Sequence, residues 1–221
     1  MVQRILEEVR WMRIIMIGAG GHSKVIRDII LSYGNYEIIA QLDDVYKELK
    51  VEDGIYFGPI SAAVKLMDEH VDTKFVIAIG NNRTRKIIME QLEIPSHRYA
   101  TLIHKQSIVS LSAKIGAGTV VMPGAIINAD VEIGNHVIVN TGAIVEHDNK
   151  VKDFAHISPN AVLTGSVIVG TGVHVGAGAN VIQNLTIGDW SIIGAGATVI
   201  CDIVANCTAV GIPARVIKKE L

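Results

Sequence analysis

The dominant pattern in the chain is a period of six residues between Ile103 and Val204. An aliphatic residue opens seventeen consecutive hexads, and the phase never changes. These opening residues are Ile103, Val109, Ile115, Val121, Ile127, Ile133, Val139, Val145, Val151, Ile157, Leu163, Val169, Val175, Val181, Ile187, Ile193 and Val199. A helix repeats every 3.6 residues and an amphipathic strand every two, so neither produces this pattern. A strict period of six residues predicts a coiled parallel β-solenoid in which three hexads make one triangular turn.

The other hexad positions fit the same interpretation. The fifth position is mostly small, and we expect it to point inward with the first, where the three sides of the triangle converge. The second position is often glycine, as at Gly116, Gly134 and Gly170, which predicts tight turns with a positive φ. Seventeen hexads make about five and two-thirds coils, which at the usual strand spacing stand roughly 27 Å tall.

The segment before the repeat alternates between apolar strand patterns and amphipathic helix patterns. Strands are predicted over 13–17, 37–42 and 74–79, and helices over 24–33, 60–69 and 83–92. Three strands with two or three helices predict a small open α/β sheet. We assign residues 12–100 to this domain and residues 101–221 to the solenoid. Residues 1–11 have the spacing of a short amphipathic helix.

A glycine-rich turn joins the first predicted strand to the first helix, with the sequence Gly18-Ala19-Gly20-Gly21-His22-Ser23. Strand, glycine-rich turn and helix form the phosphate-binding arrangement of a Rossmann-like unit. Asp43 and Asp44 end the second strand, where carboxylates commonly bind a ribose or a base. A tight turn without a ligand and a solvated acidic turn are the alternatives. The domain is too short for a full dinucleotide fold, so a mononucleotide is the better fit.

The third predicted helix begins with an unusual set of cations. Arg83, Arg85 and Lys86 lie near its N-terminus, where the helix dipole disfavours positive charge. Asn81 or Asn82 is the predicted cap. The cations indicate either a bound anion or a solvent-facing cluster.

Composition narrows the classes of protein. Hydrophobic residues make up 49% of the chain but aromatic residues only 5%, which suits a solenoid filled by Ile, Val and Ala. The net charge of −2 gives no indication of a nucleic-acid partner or an anionic membrane. The two cysteines, Cys201 and Cys207, lie on different sides of the predicted triangle, and no apolar run reaches eighteen residues. We therefore expect a soluble, cytoplasmic protein without membrane insertion.

One hexad breaks the rule of the solenoid. Residues 145–150 replace the small fifth residue with Asn149 and are polar throughout after Val145. His147 occupies the third position, on an outer corner, and Gly165 is predicted to lie beside it one coil later. This leaves space for a ligand next to the imidazole and offers backbone N–H groups to an oxyanion. The alternative is an ordinary surface histidine.

A second pair of histidines, His156 and His174, is also eighteen residues apart. The simple interpretation is a stacked pair that faces solvent. A zinc site is the alternative, with His136 as the only available third ligand, although it occupies a different hexad position. We predict no metal.

Five motifs together resemble one family of enzymes. They are residues 17–22 (Ile17-Gly18-Ala19-Gly20-Gly21-His22), 42–44 (Leu42-Asp43-Asp44), 78–83 (Ala78-Ile79-Gly80-Asn81-Asn82-Arg83), 145–148 (Val145-Glu146-His147-Asp148) and 210–215 (Val210-Gly211-Ile212-Pro213-Ala214-Arg215). From Met12 onward the chain resembles the sugar acyltransferases related to sialic acid O-acetyltransferase and to the N-acetyltransferase of bacillosamine biosynthesis. The resemblance implies a left-handed β-helix homotrimer with sites between subunits, acetyl-CoA as co-substrate, and an N-terminal domain that holds a nucleotide-linked sugar.

The resemblance also implies roles for individual residues. His147 matches the general base, and Asp148 stands where the family usually has Glu to support it. The positions that match contacts to acetyl-CoA are His156, Gly165, Ala177 and Ala195. The positions that match the nucleotide and sugar site are Gly20, Gly21, His22, Asp43, Asp44 and Gly80.

We therefore predict an acetyl-CoA-dependent acetyltransferase that acetylates the amine of a nucleotide-linked amino-sugar, with a UDP-4-amino-sugar preferred. An O-acetyltransferase acting on sialic acid or another sugar hydroxyl is the first alternative. A non-enzymatic sugar-nucleotide sensor or scaffold is the second.

Overall fold

The computed structural model describes residues 11–219. The helix predicted over residues 1–11 therefore lies, apart from Trp11, outside the described residues. Within the described part of the chain, no helix is both long enough and apolar enough to cross a membrane.

The N-terminal unit is an α/β sheet with five strands. Its elements are β1 (Met12–Ile17), α1 (Gly21–Ser32), β2 (Tyr36–Leu42), β3 (Lys50–Glu52), β4 (Ile55–Gly58), α2 (Ala62–Glu69), β5 (Lys74–Ile77) and α3 (Asn82–Leu92). The strand order is β3-β4-β2-β1-β5, and only the β3–β4 pair is antiparallel. The prediction of three strands was wrong, because β3 is fully exposed and β4 is mostly half-buried, so neither shows an apolar run.

The order of the strands creates a crevice at one edge of the sheet. From β1, the chain passes through α1 to β2 on one side of the sheet, and α2 then carries it back across to β5 on the other side of β1. The loops that leave β1 and β5 therefore diverge. Ligands of open α/β sheets bind at such a point, beyond the carboxyl ends of the strands.

The C-terminal unit is a solenoid of seventeen two-residue strands at a constant spacing of six. They are β6 (Leu102–Ile103), β7 (Ile108–Val109), β8 (Lys114–Ile115), β9 (Val120–Val121), β10 (Ile126–Ile127), β11 (Glu132–Ile133), β12 (Ile138–Val139), β13 (Ile144–Val145), β14 (Lys150–Val151), β15 (His156–Ile157), β16 (Val162–Leu163), β17 (Ile168–Val169), β18 (His174–Val175), β19 (Asn180–Val181), β20 (Thr186–Ile187), β21 (Ile192–Ile193) and β22 (Thr198–Val199). A final hairpin, β23 (Cys207–Val210) and β24 (Arg215–Lys219), extends one sheet.

The strands form three parallel sheets, which are the faces of a triangular prism. The first face starts at β6 and takes every third strand to β21, the second runs from β7 to β22, and the third from β8 to β20. Each strand pairs with the strand eighteen residues away, as Ile138 does with His156. The predicted β-helix with an α/β N-terminal domain is confirmed, and the division at residue 100 stays a prediction.

The interior of the prism is filled as the hexad pattern predicts. First-position residues such as Val145 and Ile157 and fifth-position residues such as Ala143 and Ala161 are completely buried in one cluster. The explanation given for the second-position glycines was wrong, however. The positive φ angles fall at the fourth position, as at Asp130 and Asp148.

The second-position glycines are required by close contact between coils. A Cβ atom on Gly116 would lie 2.5 Å from the backbone of Gly134 in the next coil. Such a distance is far inside van der Waals contact, and backbone on the other side cannot move aside as a flexible side chain does. These glycines therefore allow neighbouring coils to approach, and they do not set the turn conformation.

Helix α3 joins the two units through a buried arginine. Arg85 is 1% exposed, and its guanidinium donates to the carbonyl oxygens of His136 (2.9 Å) and Phe154 (2.8 Å) at the corner between the third and first faces. It also donates to the carbonyls of Ile79 and Gly80. Both expectations for this residue, an anion ligand or a solvent-facing cation, were wrong.

Asn82 continues the same set of contacts one coil further along. Its Nδ2 donates to the carbonyl oxygens of Gly172 and Val173, both at 3.1 Å. Residues i and i+3 of a helix are separated by about 4.5 Å along its axis, close to the roughly 4.8 Å spacing of β-strands. Asn82 and Arg85 therefore match successive coils, and they fix α3 and the loop before it against the solenoid.

Candidate active site

His147 and Asp148 form a solvent-exposed pair at the corner between the second and third faces. His147 Nδ1 lies 2.7 Å from Asp148 Oδ2, and 60% of the histidine side chain is exposed. The hydrogen bond to Asp148 raises the pKa of His147 above its ordinary value of 6.5. With Nδ1–H donated to the carboxylate, Nε2 carries the lone pair and makes no hydrogen bond within the described residues. This is the arrangement of a general base.

Gly165 lies directly under the imidazole of His147, as the spacing of eighteen residues predicts. A Cβ atom on Gly165 would lie 2.6 Å from His147 Cε1 and 2.8 Å from Nε2. Any larger residue would therefore displace the ring. The absent side chain leaves the backbone beside Nε2 open to a ligand.

The N-terminal unit has a cavity in the crevice at the carboxyl ends of the strands. It encloses about 810 Å³, and all six residues predicted for the nucleotide and sugar line it: Gly20, Gly21, His22, Asp43, Asp44 and Gly80. One face of α3, from Thr84 to Gln91, makes a further wall. The cavity suits a ligand of nucleotide-sugar size, since small-molecule sites span about 300–1,000 Å³.

The start of α1, where the sequence predicts phosphate binding, lies at one end of this cavity. The helix has no side-chain cap and no acidic residue in its first turn, and its first two residues, Gly21 and His22, line the cavity. Ser23 is buried, and its hydroxyl donates to the carbonyl oxygen of Gly20 at 2.7 Å. The turn therefore closes through this bond.

The two aspartates shape the rim of the cavity. Asp43 accepts the backbone N–H groups of Ala19 at 2.7 Å and Val45 at 3.1 Å, and so holds the glycine-rich turn. Asp44 accepts the N–H of Ile60 at 3.1 Å. Both carboxylates therefore already accept hydrogen bonds from backbone N–H groups of the surrounding loops. Direct contact of either carboxylate with a ribose or a base stays a prediction.

His156 and His174 are stacked as predicted, but His156 is buried, and only His174 keeps part of its surface exposed. Their ring centroids are 4.9 Å apart and their planes are nearly parallel. His156 is 9% exposed, and the N-terminal unit covers it: the ring of His22 is 6.4 Å away. Burial lowers the pKa of His156 to about 3 and that of His22 to about 4, so both rings are neutral near pH 7.

The hydrogen bonds around this pair leave two buried nitrogen atoms unpaired. Asn140 Nδ2 bonds to His156 Nε2 at 2.9 Å, and Ser158 Oγ bonds to His174 Nε2 at 2.8 Å. His156 Nδ1 and His22 Nε2 are buried without a partner in hydrogen-bonding geometry, although the Gly80 backbone lies close enough to His156 to counter part of the lowering of its pKa. Side chains away from the cavity, such as Tyr99 and His136, also carry unpaired buried atoms, so these two atoms do not by themselves mark a ligand site.

His136 belongs to the packing between the two units. Its ring stacks on Phe154 with centroids 5.3 Å apart and meets Tyr99 edge-on at 4.5 Å. It therefore does not converge with His156 and His174. No group of three or more His, Cys, Asp or Glu side chains in residues 11–219 is placed to hold a metal ion.

One protomer does not bring all of the predicted site residues together. The cavity and His156 lie along the first face, whereas His147 and Gly165 lie on the corner between the second and third faces. Ala177 and Ala195 are exposed on the corner between the first and second faces, where Ala177 accepts a backbone bond from Gly196 at 2.8 Å. The predicted residues therefore lie on different sides of the prism.

Sequence reasoning missed Arg85 and Asn82 as residues that hold the cavity against the solenoid. The signal was present, since three cations open α3 where the helix dipole disfavours them. Nothing in the pattern indicated that backbone carbonyls of a distant corner would accept from one of these cations.

Comparisons with known proteins agree with this architecture. The family model of the PglD N-terminal domain matches residues 13–92, and that of the bacterial transferase hexapeptide (six repeats) matches residues 112–147. The curated UDP-N-acetylbacillosamine N-acetyltransferase of Bacillus subtilis (strain 168) is 48% identical over 109 residues, which are 49% of this chain and 50% of that protein. The alignment thus spans about half the length of this curated relative.

Solved structures match over nearly the full length. PerB from Caulobacter crescentus, in complex with CoA and GDP-perosamine, is 34% identical with a TM-score of 0.84, covering 93% of this chain and 97% of PerB. The acetyltransferase domain of PglB from Neisseria gonorrhoeae FA1090, in complex with acetyl coenzyme A, is 36% identical with a TM-score of 0.83. The match covers 94% of this chain and 100% of the PglB domain. The chain therefore belongs to the family of hexapeptide-repeat sugar acetyltransferases that carry a PglD-type N-terminal domain.

Proposed function

We propose that this protein transfers the acetyl group of acetyl-CoA to the amine of a nucleotide-linked amino-sugar, with a UDP-4-amino-sugar preferred. The observation that carries the proposal is the exposed His147–Asp148 pair with Nε2 free above Gly165. A separate cavity of nucleotide-sugar size supplies the acceptor site. The relatives support the same chemistry, since PerB was crystallised with CoA and GDP-perosamine and the curated relative is an N-acetyltransferase.

The chemistry follows from the position of His147. The neutral amine attacks the thioester carbonyl, and Nε2 of His147 accepts the proton that the nitrogen loses. The tetrahedral intermediate then expels the thiolate, which takes that proton to give free CoA. Backbone N–H groups near Gly165 stabilise the oxyanion, and Asp148 stabilises the imidazolium. No covalent intermediate on the enzyme is needed, because holding both substrates together supplies the proximity.

We also propose that the working unit is a homotrimer in which His147 of one protomer faces the cavity of the next. The support is that the cavity and His147 lie on different sides of one prism. Sedimentation should give about three times the 23.8 kDa chain mass. Mixed oligomers of His147→Ala and His22→Ala should recover part of the activity that each variant lacks alone. An active monomer would contradict the shared site.

The reaction is tested by release of free thiol from acetyl-CoA with a panel of acceptors. The panel contains UDP- and GDP-linked 4-amino-sugars, the matching hydroxyl sugars and free sialic acid. We expect release with one nucleotide-linked amino-sugar and none with its hydroxyl analogue. Release with a hydroxyl sugar alone would assign O-acetylation instead. Tight UDP binding without release from any acceptor would indicate a sensor.

The pH dependence of the reaction should respond to Asp148. His147 acts as a base only when neutral, so activity rises as pH rises through its pKa and is lost below it. Since the bond to Asp148 raises that pKa, Asp148→Asn should move the acidic limb of the kcat/KM profile to lower pH and also lower the plateau. Profiles between about pH 5 and 9 measure both effects. A limb that stays in place, or moves to higher pH, would exclude Asp148 as the partner.

A further inference from the structure

A single asparagine is buried in the core of the prism beneath His147. Asn149 occupies the inward fifth position of its hexad and is completely buried. The residues stacked with it at this corner, on the coils before and after, are Val131 and Val167, which are also completely buried. Burying an amide among valines is unfavourable unless all of its polar atoms are paired.

The amide of Asn149 is paired with backbone on both coils. Its Nδ2 donates to the carbonyl oxygen of Glu146 at 2.6 Å and to that of Thr164 at 2.8 Å. Its Oδ1 accepts the N–H of Val167 at 3.1 Å. Glu146 directly precedes His147, and Thr164 directly precedes Gly165. One side chain therefore links the turn that carries the histidine to the turn that lies under its ring.

The neighbouring coils show that the fold does not require this link. At the same corner, Val131 and Val167 occupy the equivalent positions and have no side chain that can bond to backbone. The prism closes there with an apolar residue alone. The asparagine is thus an addition at the coil that carries His147, and packing gives no reason for it.

We propose that Asn149 is a positioning residue, which holds the backbone around His147 and Gly165 so that Nε2 stays above the open glycine. The inference rests on the proposed function for its effect on rate, but the position of the ring can be measured independently. Misplacing a catalytic group by about 1 Å can cost about 100-fold in rate. Since the turn at His147 is exposed, this internal link fixes it from beneath.

The test is Asn149→Val, which makes the corner like those of the adjacent coils. We expect kcat to fall about 10- to 100-fold with an unchanged KM, while the protein stays folded at the assay temperature, because valine closes the same corner in the adjacent coils. Thr119→Val is the matched control. Thr119 is also a completely buried fifth-position residue, whose hydroxyl donates to Gly134 O at 2.8 Å and accepts from Val137 N at 3.0 Å, but at another corner. It should leave kcat unchanged.

A spectroscopic readout separates positioning from a general loss of structure. In histidine-labelled protein, with His147→Gln to assign the signal, the ring resonances of His147 should shift and broaden in Asn149→Val while those of His136 stay fixed. Unchanged ring signals or an unchanged kcat would overturn the proposal. A fall in kcat that only follows a fall in melting temperature would also overturn it. If the wild-type protein acetylates no acceptor, the proposed function fails, and the ring signals still decide the role of Asn149.

Discussion

His147→Ala should lower kcat for acetyl transfer by about 10²- to 10⁴-fold, the usual contribution of a general base. The attacking amine must lose a proton as the C–N bond forms, and Nε2 of His147 is the free acceptor above Gly165. KM for the nucleotide-sugar should change little, because the acceptor cavity is lined by other residues. Steady-state thiol release with the best acceptor of the panel measures both constants.

Two further variants make this result specific. His147→Gln keeps a polar side chain of similar reach but cannot take up a proton, so it should be as slow as alanine. His104→Ala removes another histidine of the solenoid, one whose Nδ1 accepts only the N–H of Gln106 at 3.1 Å, and should behave as wild type. Full activity of His147→Ala would remove the general base from the proposal and favour the sensor or scaffold.

Arg85→Met should destabilise the protein by about 3 kcal/mol or more, the range for breaking a buried hydrogen-bond network. Methionine fills a similar volume but donates nothing, so the carbonyl oxygens of His136 and Phe154 lose their partner in a buried seam. Burial also lowers the pKa of Arg85 to about 9, which shows the desolvation that the carbonyls offset. Because methionine is uncharged, the variant no longer bears the cost of burying the guanidinium charge, and this partly offsets the loss of stability.

Thermal melting and hydrogen exchange should both report this change. A loss of about 3 kcal/mol corresponds to a fall in melting temperature of roughly 6–12 °C for a chain of this size. Exchange should increase in α3 and at the corner near Phe154. The matched control is Arg83→Met, two residues earlier on α3, whose guanidinium lies over the ring of Trp190 at 4.7 Å from the ring centroid. Equal melting temperatures for both variants would mean that α3 is held by packing alone.

The sequence by itself determined the solenoid, because every hexad places the same two types of residue in the core. An aliphatic residue must fill one side of a triangle and a small residue must fill the corner, so the period appears without any knowledge of distant contacts. The stacking of Gly165 on His147 followed from the same arithmetic of eighteen residues. The strands and helices up to α3 were also visible where an apolar period was present, and β3 and β4 were missed because β3 is an exposed edge strand and β4, beside it, is mostly half-buried.

The tertiary structure alone decided how the two units meet and which side chains are buried between them. Arg85 and Asn82 bond to backbone carbonyls of the solenoid. Every residue has a backbone carbonyl, so the sequence cannot indicate which of them accepts such a bond. His156 looks like a surface residue until the glycine-rich turn, with His22, covers it. Asn149 is an irregularity in the hexad pattern, and its role depends on three backbone atoms of two coils. Periodic burial is a local property of the chain, whereas these contacts depend on segments that are far apart in sequence and adjacent only in the fold.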